Sequence, residues 1–559
     1  MKMIKNISIL FLLALAIYSC EDDYLQVKNV DTGVAIEDLY SRYSQIQGVI
    51  WEAYSYLPDG LGELWLEGAT DIAEATRESN AAQLYNLGTW TQFRNPDDVW
   101  ATNFAGIDQV NRFLKNKDNV TLEEIKANST DGDSTAYYKA LDNMMLMEGE
   151  ALFLKAFFYM ELTQRYGGVP IFDEPLDYND PSSWKNVQRN SVKECLDYIV
   201  ELCDQANAIV TDDVHSRFSW YENGRITGSG IKALKAKATL YGASPLFKDA
   251  GSSITWEDAA EAAHAVIATG KFSLVSNYSD LFGSGNANSG EIIFKRRYGS
   301  INWFEYNQFP IAFVGSNGNS LTPTQNFVDA FEVTSDGTSE AFDWNNATHA
   351  VDPYANRDSR FYTTVVYNGS DFSSQNIETY TGGNSGLPKE NATKTGYYLG
   401  KWVNKGIDLI NATTANHTWA YSRYADILLM YAEAMYNAYG ADADPEGYGM
   451  TALEAINLVR ARSNVQALQA SELNQAAIEH ERMVELAFEG KRYWDVRRWK
   501  KATTYFNQPV TRIEITKNGD DFNYEVKTLE NRVFSEKMNW YPIPQSEISK
   551  TGWEQNPSW

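Results

Sequence analysis

Glu150-Ala-Leu-Phe-Leu-Lys-Ala-Phe-Phe-Tyr-Met-Glu-Leu-Thr-Gln-Arg-Tyr-Gly-Gly-Val-Pro170 closes one long helical pattern that begins at Thr135. Its charges fall in two narrow stripes, Glu148 and Lys155 on one side and Glu150, Glu161 and Arg165 on the other. A helix with so little polar surface is buried on two sides, as an inner helix of a stacked array is. Gly167, Gly168 and Pro170 terminate it.

Working outward, helical periodicity covers 36–56, 96–115, 191–210, 230–241 and 256–269, with Thr255 as an N-cap and Gly270 as a stop. It returns over 419–439, over 451–462 behind a Thr451/Glu454 capping box, and over 472–500. Helix pairs of about 30–45 residues predict an all-α protein built mainly on a tetratricopeptide-like array. Residues 273–415 break the pattern. They are rich in Gly, Asn, Ser and Thr, with β-like runs at 291–295 and 361–367. Loops this long inside a compact protein are usually functional.

The formal net charge is −26. A field of that sign opposes binding to nucleic acid and to anionic headgroups. The N-terminus reads as a secretory leader over residues 1–19: Lys2 and Lys5, an apolar run from Ile7 to Ile17, then Tyr18-Ser19 before Cys20. The apolar run is too short for a retained span. Cys20 in that position resembles a bacterial lipoprotein signal, which implies a lipid-anchored mature chain tethered to a membrane without crossing it; the other reading is an ordinary secretory signal with a chance cysteine. Cys195 and Cys203 lie about 12 Å apart along one helix axis, too far for a bridge.

Candidate chemistry is sparse. The five histidines, His215, His264, His349, His417 and His480, have no metal-ligand spacing. Asp131-Gly-Asp133 lacks the twelve-residue calcium pattern, and the Gly-rich loops lead no Gly-Lys-Ser/Thr into a helix. The chain holds 16 Trp, 34 Tyr and 25 Phe, many of them beside Gly, Asn and Asp. Exposed aromatic faces stack on sugar rings, which makes a neutral saccharide a reasonable ligand.

The helix at 150–170 resembles the signature helix of the SusD/RagB family. Further matching segments follow in order at 232–241, 262–274, 356–365, 395–401, 423–434, 481–497, 541–547 and 555–559. The start at Cys20-Glu21-Asp22-Asp23 resembles a surface-export lipoprotein signal of the Bacteroidota. The resemblance implies a single domain over 20–559, with an N-terminal part to about 330 and a C-terminal part from about 331. It implies four tetratricopeptide-like pairs with a loop-rich part packed on them. It also implies a surface lipoprotein of the outer membrane that captures a glycan, has no enzymatic activity or cofactor beyond the acyl groups on Cys20, and serves a SusC-like TonB-dependent barrel. Capture of peptides or proteins is the alternative.

By the same resemblance, the loop after the first long helix supplies ligand contacts. Asp71 and Arg77 fit its acidic and basic positions, and Trp90 an aromatic platform. Trp303 and Tyr306 form a second aromatic patch, expected to join the first in one glycan site. Trp100 is expected to pack, the family's signature helices are expected to be structural, and Arg360 and Tyr398 are the reserve candidates.

Overall fold

The computed structural model describes residues 40–128, 134–177 and 180–559. The expected leader at 1–19, Cys20, the acidic cluster at 21–23 and Asp131–Asp133 lie outside the described residues. The chain is mainly helical, as expected. The longer helices are α1 (Tyr43–Ser55), α2 (Trp100–Asn116), α3 (Thr135–Tyr166), α4 (Val192–Ile209), α5 (Gly228–Ala243) and α6 (Trp256–Ile267). After the loop-rich segment come α8 (Tyr424–Tyr439), α9 (Ala452–Arg462), α10 (Gln475–Glu485) and α11 (Arg492–Arg498); α7 (Trp303–Gln308) lies within that segment. Each long helix packs on the next: α1 on α2, α2 on α3, α3 on α4, α4 on α5 and α5 on α6. The array then steps over the insertion, α6 against α8 and α8 against α9. This gives four helix pairs in one solenoid. Among the described residues, no helix is long and apolar enough to cross a membrane.

Local sequence explains the helix starts. Ser191 with Glu194, Thr255 with Asp258 and Thr451 with Glu454 form reciprocal capping boxes, each cap contributing about 1 kcal/mol. Gly106 on α2 is a close-approach residue, since a Cβ there would sit 2.6 Å from Phe158 of α3.

α3 is buried more completely than its two stripes predict. From Gly149 to Tyr166 every residue except Leu152 is buried, the charged ones included. Internal partners make this possible. Arg225 pairs with Glu150, Lys155 with Asp173 at 2.9 Å, and Arg165 with Asp97 at 2.8 Å and Glu161 at 2.6 Å.

Three other expectations are corrected. Residues 419–423, expected to begin a helix, instead end a strand over 415–423 that pairs antiparallel with Ile292–Ile301. The run at 361–367 is helical to Thr364 and extended only at Val365–Val366. The helix expected over 472–500 is two helices, broken where Phe488 and Gly490 take positive φ of 58° and 69°. The strands used below are β1 (Ala73–Ala75), β2 (Ile292–Ile301), β3 (Leu321–Pro323) and β4 (Ala415–Arg423), with β1 pairing β3 and β2 pairing β4.

The insertion and the array meet through a buried ionic layer. Arg423 binds Glu291 at 2.8 Å, Glu485 at 2.6 Å and Glu489 at 2.7 Å. Arg360 binds Asp358 at 2.6 Å, Glu481 at 2.5 Å and Glu485 at 2.9 Å, and Lys401 binds Glu489 at 2.7 Å. All of these residues except Glu291 belong to the segments that resemble family signatures, and all are structural.

Candidate glycan-binding surface

The short helix α7 stands between β2 and the loop leading to β3. Phe304, Glu305 and Gln308 face inward, and the Gln308 side-chain oxygen accepts the Leu321 N–H at 3.0 Å. The outward side carries Trp303 and Tyr306, 37% and 48% exposed. Residues three apart on a helix are surface neighbours, about 5–6 Å between Cβ atoms, so the two rings form one aromatic step.

A rim of amides surrounds that step. Asn307 donates to the Trp303 carbonyl at 2.9 Å and accepts from Asn317 at 2.6 Å; the Asn317 N–H donates to the Tyr306 carbonyl at 3.0 Å. Asn302 donates to the Thr413 carbonyl at 3.1 Å. Arg77 joins from the β1 side. Thr76, just after β1, hydrogen-bonds Ser320, and the Arg77 guanidinium donates to the Asn317 carbonyl at 2.6 Å. The structure therefore brings Arg77, Trp303 and Tyr306 into one neighbourhood. Asn307 and Asn317 were not singled out in the sequence; the run Gly315-Ser-Asn-Gly-Asn-Ser320 was the available signal.

Other expected contacts lie elsewhere. Trp90 is 2% exposed. Its ring is enclosed edge-on by Tyr85 at 4.8 Å, Tyr541 at 5.1 Å and Trp559 at 4.5 Å. No ring face remains for a sugar, so the platform assignment is corrected to core. Asp71 lies at the other end of β1 from Arg77, and Arg492 grips both its oxygens at 2.9 and 2.7 Å. That carboxylate is committed to a structural pair, which corrects its expected role at hydroxyls. Trp100 is buried, as packing requires. Arg360 is held by its three carboxylates, and Tyr398 is buried with its hydroxyl donating to the Ser385 carbonyl at 2.8 Å. Neither reserve candidate reaches the surface.

A partly open cavity of about 120 Å³ lies between the array and the insertion, lined by Glu63, Glu67, Lys237, Asp426 and Lys491 among others. It has room for about four waters. Among the described residues, no group of three or more His, Cys, Asp or Glu side chains could hold a metal ion.

Residues 290–559 match the SusD family, and residues 23–227 match a family described as starch-binding associating with outer membrane. The chain belongs to the SusD family. A SusD-like protein from Bacteroides fragilis shares its fold at 25% identity and a TM-score of 0.77, covering 95% of this chain and 99% of that one. A SusD-like carbohydrate binding protein from the same organism matches at 22% identity and 0.71, covering 92% and 99%. Surface glycan-binding protein A from Bacteroides fluxus matches at 19% and 0.61, also covering 92% and 99%. Among curated proteins none matches the chain.

Proposed function

We propose that this SusD-family protein is a cell-surface glycan-binding lipoprotein. It is anchored through acyl groups on Cys20 and sent to the outer face of the outer membrane by Glu21-Asp22-Asp23. The observation that carries the reading is the exposed Trp303–Tyr306 step ringed by Asn307, Asn317 and Arg77. Sugar C–H faces stack on the rings, while the amides and the guanidinium meet hydroxyls. Affinity per site is modest, because polar ligands exchange water contacts for protein contacts. We read the chain as a binding protein, not an enzyme, in keeping with relatives described as binding proteins. The captured glycan passes to a TonB-dependent SusC-like barrel that this chain covers.

Native affinity gels with amylopectin, arabinoxylan, xyloglucan, galactomannan and pectic galactan test the site. Trp303→Ala should weaken retention by the polysaccharide that wild type binds by roughly ten- to a hundredfold, the loss of about 1–3 kcal/mol expected for one large apolar contact. Folded Trp303→Ala and Tyr306→Ala proteins that bind like wild type would refute this location. Co-purification of a β-barrel with a tagged chain in mild detergent tests the partner.

A further inference from the structure

Glu305 lies between Trp303 and Tyr306 in sequence but points the opposite way, into the protein, where it is fully buried. Its Oε1 accepts the Asn404 N–H at 2.9 Å and faces His417 Nε2 at 2.8 Å. These two contacts fasten one turn of helix to the 404–407 loop and to β4. His417 itself is 5% exposed, and its Nδ1 lies 3.0 Å from the Ala415 carbonyl.

Both ring nitrogens thus face oxygen atoms. A carbonyl only accepts, so Nδ1 carries a hydrogen. A second proton must stand between Nε2 and Oε1, since without it an imidazole lone pair would face a carboxylate. The Asn404 N–H on Oε1 favours placing that proton on His417. The pair is then an imidazolium and a carboxylate, shielded from solvent and placed directly beneath the aromatic step.

We infer that the Glu305–His417 pair sets the orientation of α7, making His417 a positioning residue for the Trp303 and Tyr306 rings and glycan capture dependent on its protonation. The inference rests on the proposed glycan surface for its consequence, though not for its geometry.

The surroundings isolate the pair. From α7, Glu305 is the titratable group on His417, and the Phe304 ring centroid lies 6.4 Å away. On β2, opposite the bulge that holds His417, Arg297 donates to the Asn223 carbonyl and Tyr298 bonds Asp59. Lys405, in the loop, sits over the Phe372 ring at 5.3 Å. Burial alone would lower the His417 pKa, but the hydrogen bond and charge of Glu305 outweigh it and hold it above the ordinary value. A histidine raised in this way contributes its full stabilisation below its unfolded pKa of about 6.5. It loses that contribution as pH rises through the higher folded value. The aromatic step is therefore ordered in mildly acidic medium and released on the alkaline side.

Fluorine NMR of 5-fluorotryptophan-labelled full-length protein tests this without knowledge of the glycan. The Trp303 resonance, assigned by its loss in Trp303→Phe, should move with an inflection above about pH 6.5. It should stay flat in His417→Gln, and in Glu305→Gln the inflection should move below about pH 6.5, with circular dichroism to confirm folding. Binding to the retained polysaccharide should fall roughly tenfold in His417→Gln, as when a charge-assisted hydrogen bond is lost. A wild-type Trp303 resonance with no inflection overturns the inference. So does an inflection above about pH 6.5 that persists in either folded variant. If Trp303→Ala keeps full binding while the resonance titrates as described, the pair orders α7 but the glycan surface lies elsewhere.

Discussion

The Trp90 indole meets the Trp559 ring edge-on, 4.5 Å between centroids, inside a cluster completed by Tyr85 and Tyr541. Truncation there opens a cavity between the segment after β1 and the C-terminal segment. Trp90→Ala should lower stability by about 3–5 kcal/mol and leave glycan affinity of the folded protein unchanged. Denaturant titration and calorimetry on one preparation read both. A stable variant with lost affinity would return Trp90 to the binding surface.

Arg360 is the sole guanidinium contacting Asp358 among the ion pairs of the described residues, and it shares Glu481 with Arg460. Removing one member of such a buried set strands charge. Arg360→Leu should cost about 3–5 kcal/mol. Adding Asp358→Asn, which neutralises the carboxylate left without a guanidinium, should recover part of it, because residues in one network do not act additively. A double variant less stable than the sum of the single losses would contradict the network.

Glu67 accepts the Gly490 N–H with Oε1 at 2.8 Å, while its buried Oε2 has no partner among the described residues. Burial pushes its pKa up to about 7. An acid raised on folding contributes stability that is present below its unfolded value and lost as pH rises through the folded one. Ionising it above pH 7 therefore costs on the order of 3 kcal/mol. Glu67→Gln keeps an acceptor for Gly490 without the charge. Its Tm should exceed wild type at about pH 8 and match it near pH 5. Equal differences at both values would mean that Glu67 does not titrate in this range.

For the anchor, Cys20→Ala should move the protein out of the membrane fraction. Replacing Glu21, Asp22 and Asp23 with Ala should leave it acylated but facing the periplasm. Protease treatment of whole cells reads the difference; equal digestion of the triple variant and wild type would sink the export signal.

The helices were legible because capping residues and apolar period agree: Ser191, Thr255 and Thr451 each begin a helix as expected. The misreadings have physical causes. Trp419 to Arg423 carries helix-compatible residues, but pairing with β2 overrides propensity. The charges of α3 read as solvent stripes, because their partners Asp97, Asp173 and Arg225 are distant in sequence. At the site, Trp303 and Tyr306 were visible as aromatics in an Asn-bearing loop, and Arg77 as the base near them. Trp90 looked similar in sequence. What separates it is the Trp559 ring, which the chain supplies more than 400 residues later. His417 gave no signal, since its meaning depends on Glu305 arriving from another element.

The array closes over its own insertion, and one contact marks the gate. Glu291 accepts the Tyr424 N–H at 2.8 Å through its carbonyl and holds Arg423 through its carboxylate, so the chain leaves and re-enters the scaffold at a single point. Between those residues the excursion is held to the frame again, by Arg360 on Glu481 and Glu485 and by Lys401 on Glu489. The helix pairs take their register from one another, α3 on α4 and α5 on α6 included, and not from the outer turns of this excursion.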